Sequence, residues 1–281
     1  MKVITTISEM RALHASPAQS GTIGFVPTMG YLHAGHISLV EMARRENDAV
    51  AVSIFVNPTQ FGPNEDFSRY PRNTDRDLSM LKDAGTDWVF MPTVEEMYPQ
   101  GFSTYVDVRE VTARLEGEMR PGHFQGVATV VAKLFNIVQP TRAYFGQKDA
   151  QQVAVIRKMV ADLAFPLQVV VGPIIRKPDG LAMSSRNVYL NPEERKAALC
   201  LYHALSAAKA LWNEGEHRGT PLREAMQTVL AAEPMARPDY VSVANPTTLQ
   251  ELDDSGEAKA ALASLAVRIG KTRLIDNFVL D

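Results

Sequence analysis

Two histidines stand three residues apart in the stretch Gly24-Phe-Val-Pro-Thr-Met-Gly-Tyr-Leu-His-Ala-Gly-His36, with Gly35 just before the second. Imidazole can donate a hydrogen bond to a phosphate oxygen, and an unperturbed pKa of about 6.5 lets its charge follow negative charge as it builds up. A short apolar run, Thr22 to Val26, precedes the pair and stops at Pro27. Ile37, Val40 and Ala43 follow at helical spacing. That pattern predicts strand, loop and helix, with His33, Gly35 and His36 at a helix N-terminus on the carboxyl edge of a sheet. The unpaired N–H groups and partial positive charge of such an end suit phosphate. Gly35 has no Cβ to keep backbone or an adenine ring at a distance. A metal site is the weaker reading, because catalytic zinc normally uses three protein ligands and no third lies nearby. A purely structural helix cap would be the better reading of an isolated His-x-x-His; the strand–loop–glycine–helix context favours the chemical one.

Other stretches carry polar side chains suited to the same chemistry. Met183-Ser-Ser-Arg186 offers two hydroxyls and a planar guanidinium that can hold phosphate oxygens, although alone it reads as an N-cap or surface turn. Lys148 sits in Gly146-Gln-Lys-Asp149 directly after a predicted strand, which disfavours an ordinary exposed lysine. Gln60 and Gln152 can donate and accept without adding charge. Arg120-Pro-Gly-His123 reads equally as a turn with charged ends. Cys200 falls with Ala197, Leu201 and Ala204 on an apolar helix face, and Met10, Met42, Met80 and Met159 sit at helical packing positions.

The elements that must position these groups alternate. Helix from Thr6 to about Leu13, strand Thr22–Val26, helix Gly35–Arg45, strand 49–56, helix 75–84, strand 87–91, helix 129–138, strand 143–145, helix 150–163 and strand 167–171 are predicted in turn. This is the signature of a doubly wound α/β, Rossmann-like parallel sheet. Beyond Gly172-Pro173 the character changes. A helix opens at Asn191-Pro192-Glu-Glu and runs to about Asn213, and a second runs from Thr220 to about Ala232. Strands 240–243, 261–267 and 272–279 follow, the middle one readable as helix. Two domains are expected, 1–174 and a smaller α+β unit, 175–281. The 281 residues carry 29 Lys and Arg against 32 Asp and Glu, a formal net charge of −3, which gives no general nucleic-acid-binding surface. One cysteine permits no intramolecular disulfide and suits a reducing, cytoplasmic compartment. Glu9 interrupts any signal peptide, and no run is long and apolar enough to span a bilayer.

The histidine stretch resembles the His-x-Gly-His motif of the nucleotidylyltransferase superfamily, and Met183-Ser-Ser-Arg186 resembles a variant of its second, Lys-Met-Ser-Lys-Ser signature. Phe55-Val-Asn-Pro-Thr-Gln-Phe-Gly62, Arg120-Pro-Gly-His-Phe-Gln-Gly-Val127 and Tyr144-Phe-Gly-Gln-Lys-Asp-Ala-Gln-Gln152 narrow the likeness. Together these motifs look like the pantoate–β-alanine ligase family, from about Thr5 to Asn191 and more weakly to the end. The resemblance implies a soluble ATP-dependent ligase. (R)-Pantoate would attack the α-phosphorus of ATP, giving a pantoyl-adenylate and pyrophosphate, and β-alanine would displace AMP. It implies Mg²⁺ with the nucleotide, its ligands unknown, residues 175–281 as a lid, and a homodimer. Small molecules would be the partners, with no nucleic acid or membrane.

Role by role, the resemblance makes His36, His33, Lys148, Ser184, Ser185 and Arg186 catalytic. ATP would lie along Met29, Gly30, Tyr31, Leu32, His33, Ala34, Gly35 and His36. Gly146, Gln147, Lys148 and Asp149 would add to that site, with Ile175 beside adenine and Met183 to Arg186 over the phosphates. Pantoate would meet Gln60, Gln152, Pro27, Thr28 and Met29, with Asn57, Tyr70, Arg120 and His123 as further candidates. Gln147 stands where many members have glutamate, which implies a change in how Lys148 is held. Rival readings are another nucleotidylyltransferase, which would not predict the paired glutamine motifs; a tRNA synthetase, which would need a tRNA-binding surface; and a non-catalytic nucleotide-binding module, which would tolerate loss of His33, His36 or Lys148.

Overall fold

The computed structural model describes residues 1–14, 21–63 and 65–281. Strands β1 (Lys2–Ile4), β2 (Ile23–Thr28), β3 (Ala49–Ile54), β4 (Trp88–Phe90), β5 (Arg142–Gly146) and β6 (Gln168–Gly172) form one sheet in the order β1-β4-β3-β2-β5-β6. Every pairing is parallel. Both faces of such a sheet are covered, so its strands read as continuous apolar runs. Alternation along β2 and β3 sends Phe25 and Ala51 into a core with helices α1 (Ile7–His14), α6 (His123–Val138) and α7 (Ala150–Asp162). Val26, Val50 and Val52 enter a core with α2 (Ala34–Glu46) and α3 (Thr74–Asp83). Short helices α4 (Val94–Met97) and α5 (Glu116–Met119) lie in the long connection between β4 and α6. This is the doubly wound α/β arrangement expected.

The strand order reverses at β2. From there β3, β4 and β1 extend to one side, and β5 and β6 to the other. β2 and β5 pair only at Gly24↔Arg142 and Phe25↔Ala143 and part beyond them. Between their carboxyl ends lies the crevice in which open α/β sheets place ligands.

After β6 come α8 (Pro192–Ala197), α9 (Leu199–Asn213) and α10 (Gly219–Ala231), packed on an antiparallel sheet of β7 (Ala236–Ala244), β8 (Ala261–Ile269) and β9 (Thr272–Leu280). Leu201, Leu205, Trp212, Leu222 and Leu265 belong to its core, and Cys200 is buried there, where burial pushes its thiol up to about 12.

The structure departs from the sequence reading at several places: α4 and α5 are additional, and β7 begins at Ala236, before the strand expected at 240–243. Residues 2–4 form a strand where the sequence predicts no element, because a three-residue edge strand is too short to show a period. The helix expected from 191 to 213 is interrupted at Ala198, where ψ of −16° tightens the turn. The ambiguous run from Ala261 is the central strand β8, buried on both faces and therefore without alternation. Helix α6 begins at His123, not Thr129, because Gly122 supplies a left-handed N-cap (φ +82°) and Gly126 is a packing position rather than a break. A Cβ on Gly126 would meet the Thr59 carbonyl oxygen at 2.4 Å. Among the described residues no helix is long and apolar enough to cross a membrane.

Candidate active site

The loop after β2 is held from below. The Thr28 hydroxyl donates to the Ser53 carbonyl (2.7 Å) and accepts from Gly30 N–H (3.1 Å). Gly30 (φ +79°) and Tyr31 (φ +49°) both adopt left-handed backbone, which turns successive N–H groups to one side. The buried carboxylate of Asp77 accepts from two of them, Tyr31 at 2.6 Å and Leu32 at 2.8 Å. Helix α2 then starts with an unusual cap. His33 is its N-cap residue and His36 its third, and each imidazole serves the other's turn. His33 Nδ1 accepts from Gly35 N–H (3.1 Å), and His36 Nδ1 accepts from His33 N–H (3.3 Å).

That cap decides proton placement. A ring nitrogen that accepts carries no hydrogen, so each neutral imidazole keeps its proton on Nε2 and can donate from it. Burial, reinforced by the Lys148 charge, lowers the His33 pKa to about 4. Burial, then the neighbouring His33 and Lys148, holds His36 well below its ordinary value. The rings stand 4.1 Å apart between centroids. Two neutral donors therefore sit at a helix N-terminus beside a cation, a combination suited to a polyanion. Gly35 leaves room for the cap: a Cβ would meet His33 Cε1 at 2.9 Å and Nδ1 at 3.0 Å, so the imidazole would have to move from its hydrogen bond.

Lys148 lies in the turn between β5 and α7. Its nearest carboxylate is the half-exposed Asp149, at 3.8 Å. The turn is fixed from the C-terminal sheet, where buried Asn277 of β9 donates its amide to the carbonyls of Gln147 (3.0 Å) and Lys148 (2.9 Å). Gln147 Nε2 donates to Asn277 Oδ1 at 3.1 Å. Residue 147 thus bears on how the Lys148 turn is held, through Asn277, where a glutamate would have no hydrogen to donate.

On the opposite wall a 3-10 turn, Pro58–Gln60, is clamped by α6 through Gly126. Asn57 is buried and spends its amide on the Gly126 carbonyl (3.2 Å) and Gln60 Oε1 (3.1 Å), and its oxygen on Tyr98 (2.8 Å). Gln60 Nε2 faces Met29 sulfur at 3.2 Å. Of two adjacent glutamines on α7, Gln151 is buried against the carbonyls of Val111 and Arg114, at 2.8 Å each. Gln152, one residue round the helix, faces the crevice.

Met183–Arg186 closes the third side. Met183 N–H donates to the Ile175 carbonyl (2.9 Å), and the Ser185 hydroxyl donates to the Tyr31 carbonyl (3.1 Å), which docks this segment on the histidine loop. The Ser184 hydroxyl accepts from Arg186 N–H at 3.2 Å.

These walls enclose a cavity of about 210 Å³. Pro27, Thr28, Met29, His33, Gly35 and His36 line one side; Asn57, Gln60, Tyr70 and Gln152 another. Gly146, Lys148, Asp149, Ile175 and Met183 to Arg186 complete it. Gly30, Tyr31, Leu32, Ala34 and Gln147 shape the surrounding backbone without lining it. Arg120 and His123 line a neighbouring cleft of about 980 Å³ that the cavity meets at Lys148, Asp149, Ser184 and Arg186. Arg120 is engaged by Glu65 at 2.6 and 2.7 Å, and His123 Nδ1 lies 2.8 Å from the Gln60 carbonyl.

Sequence reasoning missed Asp66, Gln151 and Asn277, and it read Asp75 and Asp77, acidic residues in a first helical turn, as helix-dipole partners rather than metal ligands. Asp77 left a further signal, since it precedes buried Leu81 by four residues and so shares the apolar face of α3. Asp75 is exposed and Asp77 is committed to backbone, and no cluster of three metal-ligating side chains occurs among the described residues. The protein side chains do not fit a cage for Mg²⁺.

The depressed histidines give a pH test. Burial, with Arg120 beside it, also lowers His123 to about 4. Between about pH 6.5 and 4 the unfolded chain binds more protons than the folded one, so stability falls as pH falls through that window. Each such histidine contributes up to about 1.4 kcal/mol per pH unit. Melting temperatures are expected to drop from pH 7 to 5. A flat profile would refute the neutral imidazoles.

A model of the family described as pantoate-beta-alanine ligase matches residues 2–279. The chain is 62% identical to the pantothenate synthetase of Chloroflexus aurantiacus, over all of this chain and 99% of that protein. It superimposes on a crystal structure of pantothenate synthetase from Thermus thermophilus with a TM-score of 0.93 and 53% identity, covering 99% of each chain. A pantoate-beta-alanine ligase from Francisella tularensis, crystallised with "Beta-gamma ATP" and β-alanine, aligns with a TM-score of 0.81 and 37% identity, over 99% of this chain and 97% of that one.

Proposed function

We infer mechanism from kinship: this chain belongs to the pantoate-beta-alanine ligase family and joins pantoate to β-alanine to give pantothenate. ATP supplies the driving force. A free carboxylate is a poor acyl donor, because its leaving group would be oxide. The (R)-pantoate carboxylate therefore attacks the α-phosphorus, pyrophosphate leaves, and the β-alanine amine then attacks the pantoyl-adenylate carbonyl and expels AMP. Such steps depend on positioning and charge stabilisation and need no protein nucleophile. The observation that carries this reading is the meeting, at the β2/β5 switch point, of paired imidazole donors, Lys148 and the Met183–Arg186 segment around one cavity.

In this reading His33 and His36 donate from Nε2 to the polyphosphate, and Lys148 neutralises charge developing at the α-phosphate. Ser184, Ser185 and Arg186 hold the departing pyrophosphate. Asp149 and Gly146 hold the ribose, and Ile175 borders adenine. Gln60 and Gln152 bond the hydroxyls and carboxylate of pantoate, beside Pro27, Thr28, Met29 and Tyr70. Asn57 acts by fixing Gln60, whereas Arg120 and His123, already engaged by protein, border the route from the larger cleft. Magnesium, held by phosphate and water, would lower the charge of the nucleotide; no step is assigned to a protein ligand for it. Residues 1–174 form the catalytic unit and 175–281 the lid. A cytoplasmic homodimer completes the proposal, supported by the family resemblance and measurable by light scattering.

The test is pyrophosphate release from ATP with pantoate alone, followed by AMP release on adding β-alanine. Release without pantoate, or none with it, overturns the reading. Gln60→Ala is expected to raise the pantoate KM about 10-fold or more, as loss of a buried hydrogen-bonding group does, with ATP affinity nearly unchanged. Equal loss for both substrates would remove Gln60 from the pantoate site.

A further inference from the structure

We propose that Asp66, which does not line the histidine cavity, is a positioning residue that aims Arg186 into it. The inference rests on the ligase reading above. Arg186 Nε donates to Asp66 Oδ2 at 2.9 Å and Nη2 donates to Oδ1 at 2.8 Å, a two-point seat along one edge of the guanidinium. The buried Tyr70 ring lies beneath it, 5.6 Å from Cζ. Both charged side chains are mostly buried. Nη1 is the one nitrogen of the group with no hydrogen-bond partner among the described residues.

A guanidinium is planar and rigid, so seating the Nε–Nη2 edge determines where Nη1 points. A long arginine without such a seat samples many rotamers, and ordering it on the ligand costs free energy. The seat has a second consequence. The carboxylate cancels much of the charge of Arg186, so the residue contributes direction more than attraction. Burial opposes the guanidinium charge, and the hydrogen bonds from Arg186 to Asp66 reverse that effect and raise its pKa. The two residues come from distant parts of the chain. Asp66 lies in the loop between the 3-10 turns Pro58–Gln60 and Phe67–Arg69, and Arg186 in the segment closing the phosphate side. The Tyr189 hydroxyl donates to the Arg69 carbonyl at 2.9 Å and ties the same two segments together.

Orientation and charge cancellation predict opposite effects, which makes the inference testable. Asp66→Asn keeps the size of the side chain but cannot accept at two points, and it unmasks positive charge. Single-turnover pyrophosphate release with pantoate is expected to slow about 10- to 100-fold, with the ATP dissociation constant unchanged or lower. Asp66→Glu, which shifts the seat by one methylene, is expected to slow it less, in the same pattern. In an Arg186→Lys background, where no two-point seat exists, Asp66→Asn is expected to add little.

Faster release with tighter ATP in Asp66→Asn would make Asp66 a competitor for the arginine and overturn the proposal. An unaltered rate, or a full additional loss in the Arg186→Lys background, would do so too. If Asp66→Asn does not fold, Asp66→Glu decides on the same readings, and a wild-type rate there overturns the proposal. Pantoate-dependent release from the unmodified enzyme is the control. Its absence would refute the ligase reading; its presence with a normal Asp66→Asn rate would refute only the role of Asp66.

Discussion

Alanine at position 36 is expected to lower pantoate-dependent pyrophosphate release about 10²- to 10³-fold, the usual cost of removing one preorganised donor from a site of developing negative charge. The size follows from the electrostatics. His36 sits at a helix N-terminus next to a second imidazole, is held neutral by burial, and has its proton assigned to Nε2 by the bond its Nδ1 accepts. Nothing needs to reorganise when the pyrophosphate charge appears. The fold should survive, since the cap loses one hydrogen bond of 3.3 Å worth about 1 kcal/mol. The measurement is single-turnover release at saturating ATP and pantoate, with a thermal melt alongside. Release within threefold of the parent would take His36 out of the chemistry.

Lys148→Ala should cost at least as much, about 10²- to 10³-fold in the same assay, and more than Arg186→Ala. The two cations look equivalent in the sequence and differ in the structure. Arg186 has a carboxylate against it at 2.8 Å, whereas the nearest to Lys148 is 3.8 Å away and half in solvent. Lys148 therefore keeps most of its charge for the ligand. Its effect should fall on the rate of adenylation rather than on pantoate affinity, because pantoate is assigned to Gln60 and Gln152 across the cavity. If Arg186→Ala is the more damaging of the two, the assignment of charge in this site is reversed.

Much of the architecture is legible in the residues alone. Strands β2, β3, β5 and β6 are apolar runs bounded by glycine, proline or charge. Helix α2 carries its apolar period and its cap within a single stretch. The motifs after β2, β3 and β5 fall at the carboxyl ends of those strands, so their meeting at one sheet edge follows from parallel topology, whereas Arg120–Val127 opens α6 and Met183–Arg186 lies in a later loop. Local signals fail where another element decides the outcome. Arg120-Pro-Gly-His123 reads as a turn and the helix as starting at Thr129, yet Gly122 caps α6 and Gly126, inside it, admits the Thr59 backbone. Strand β8 hides its period because both its faces are covered.

What the sequence determined by itself was the chemistry available: imidazoles at a strand–helix junction, a lysine after a strand, hydroxyls and a guanidinium on a later loop, amides between. Those depend on residue type and on neighbours a few positions away. Tertiary structure alone decided how each group is used. The capping of α2 sets the imidazole protons within its own turn, but burial by the surrounding fold keeps the rings neutral. Asn277 of the last strand holds the Lys148 turn, Asp77 shapes the loop before the histidines, and Asp66 takes one edge of Arg186. Each of these last three is a contact between residues far apart in the chain, and a hydrogen bond acts over about 3 Å. Its partner is set by the folded path of the backbone, which a local stretch of sequence does not encode.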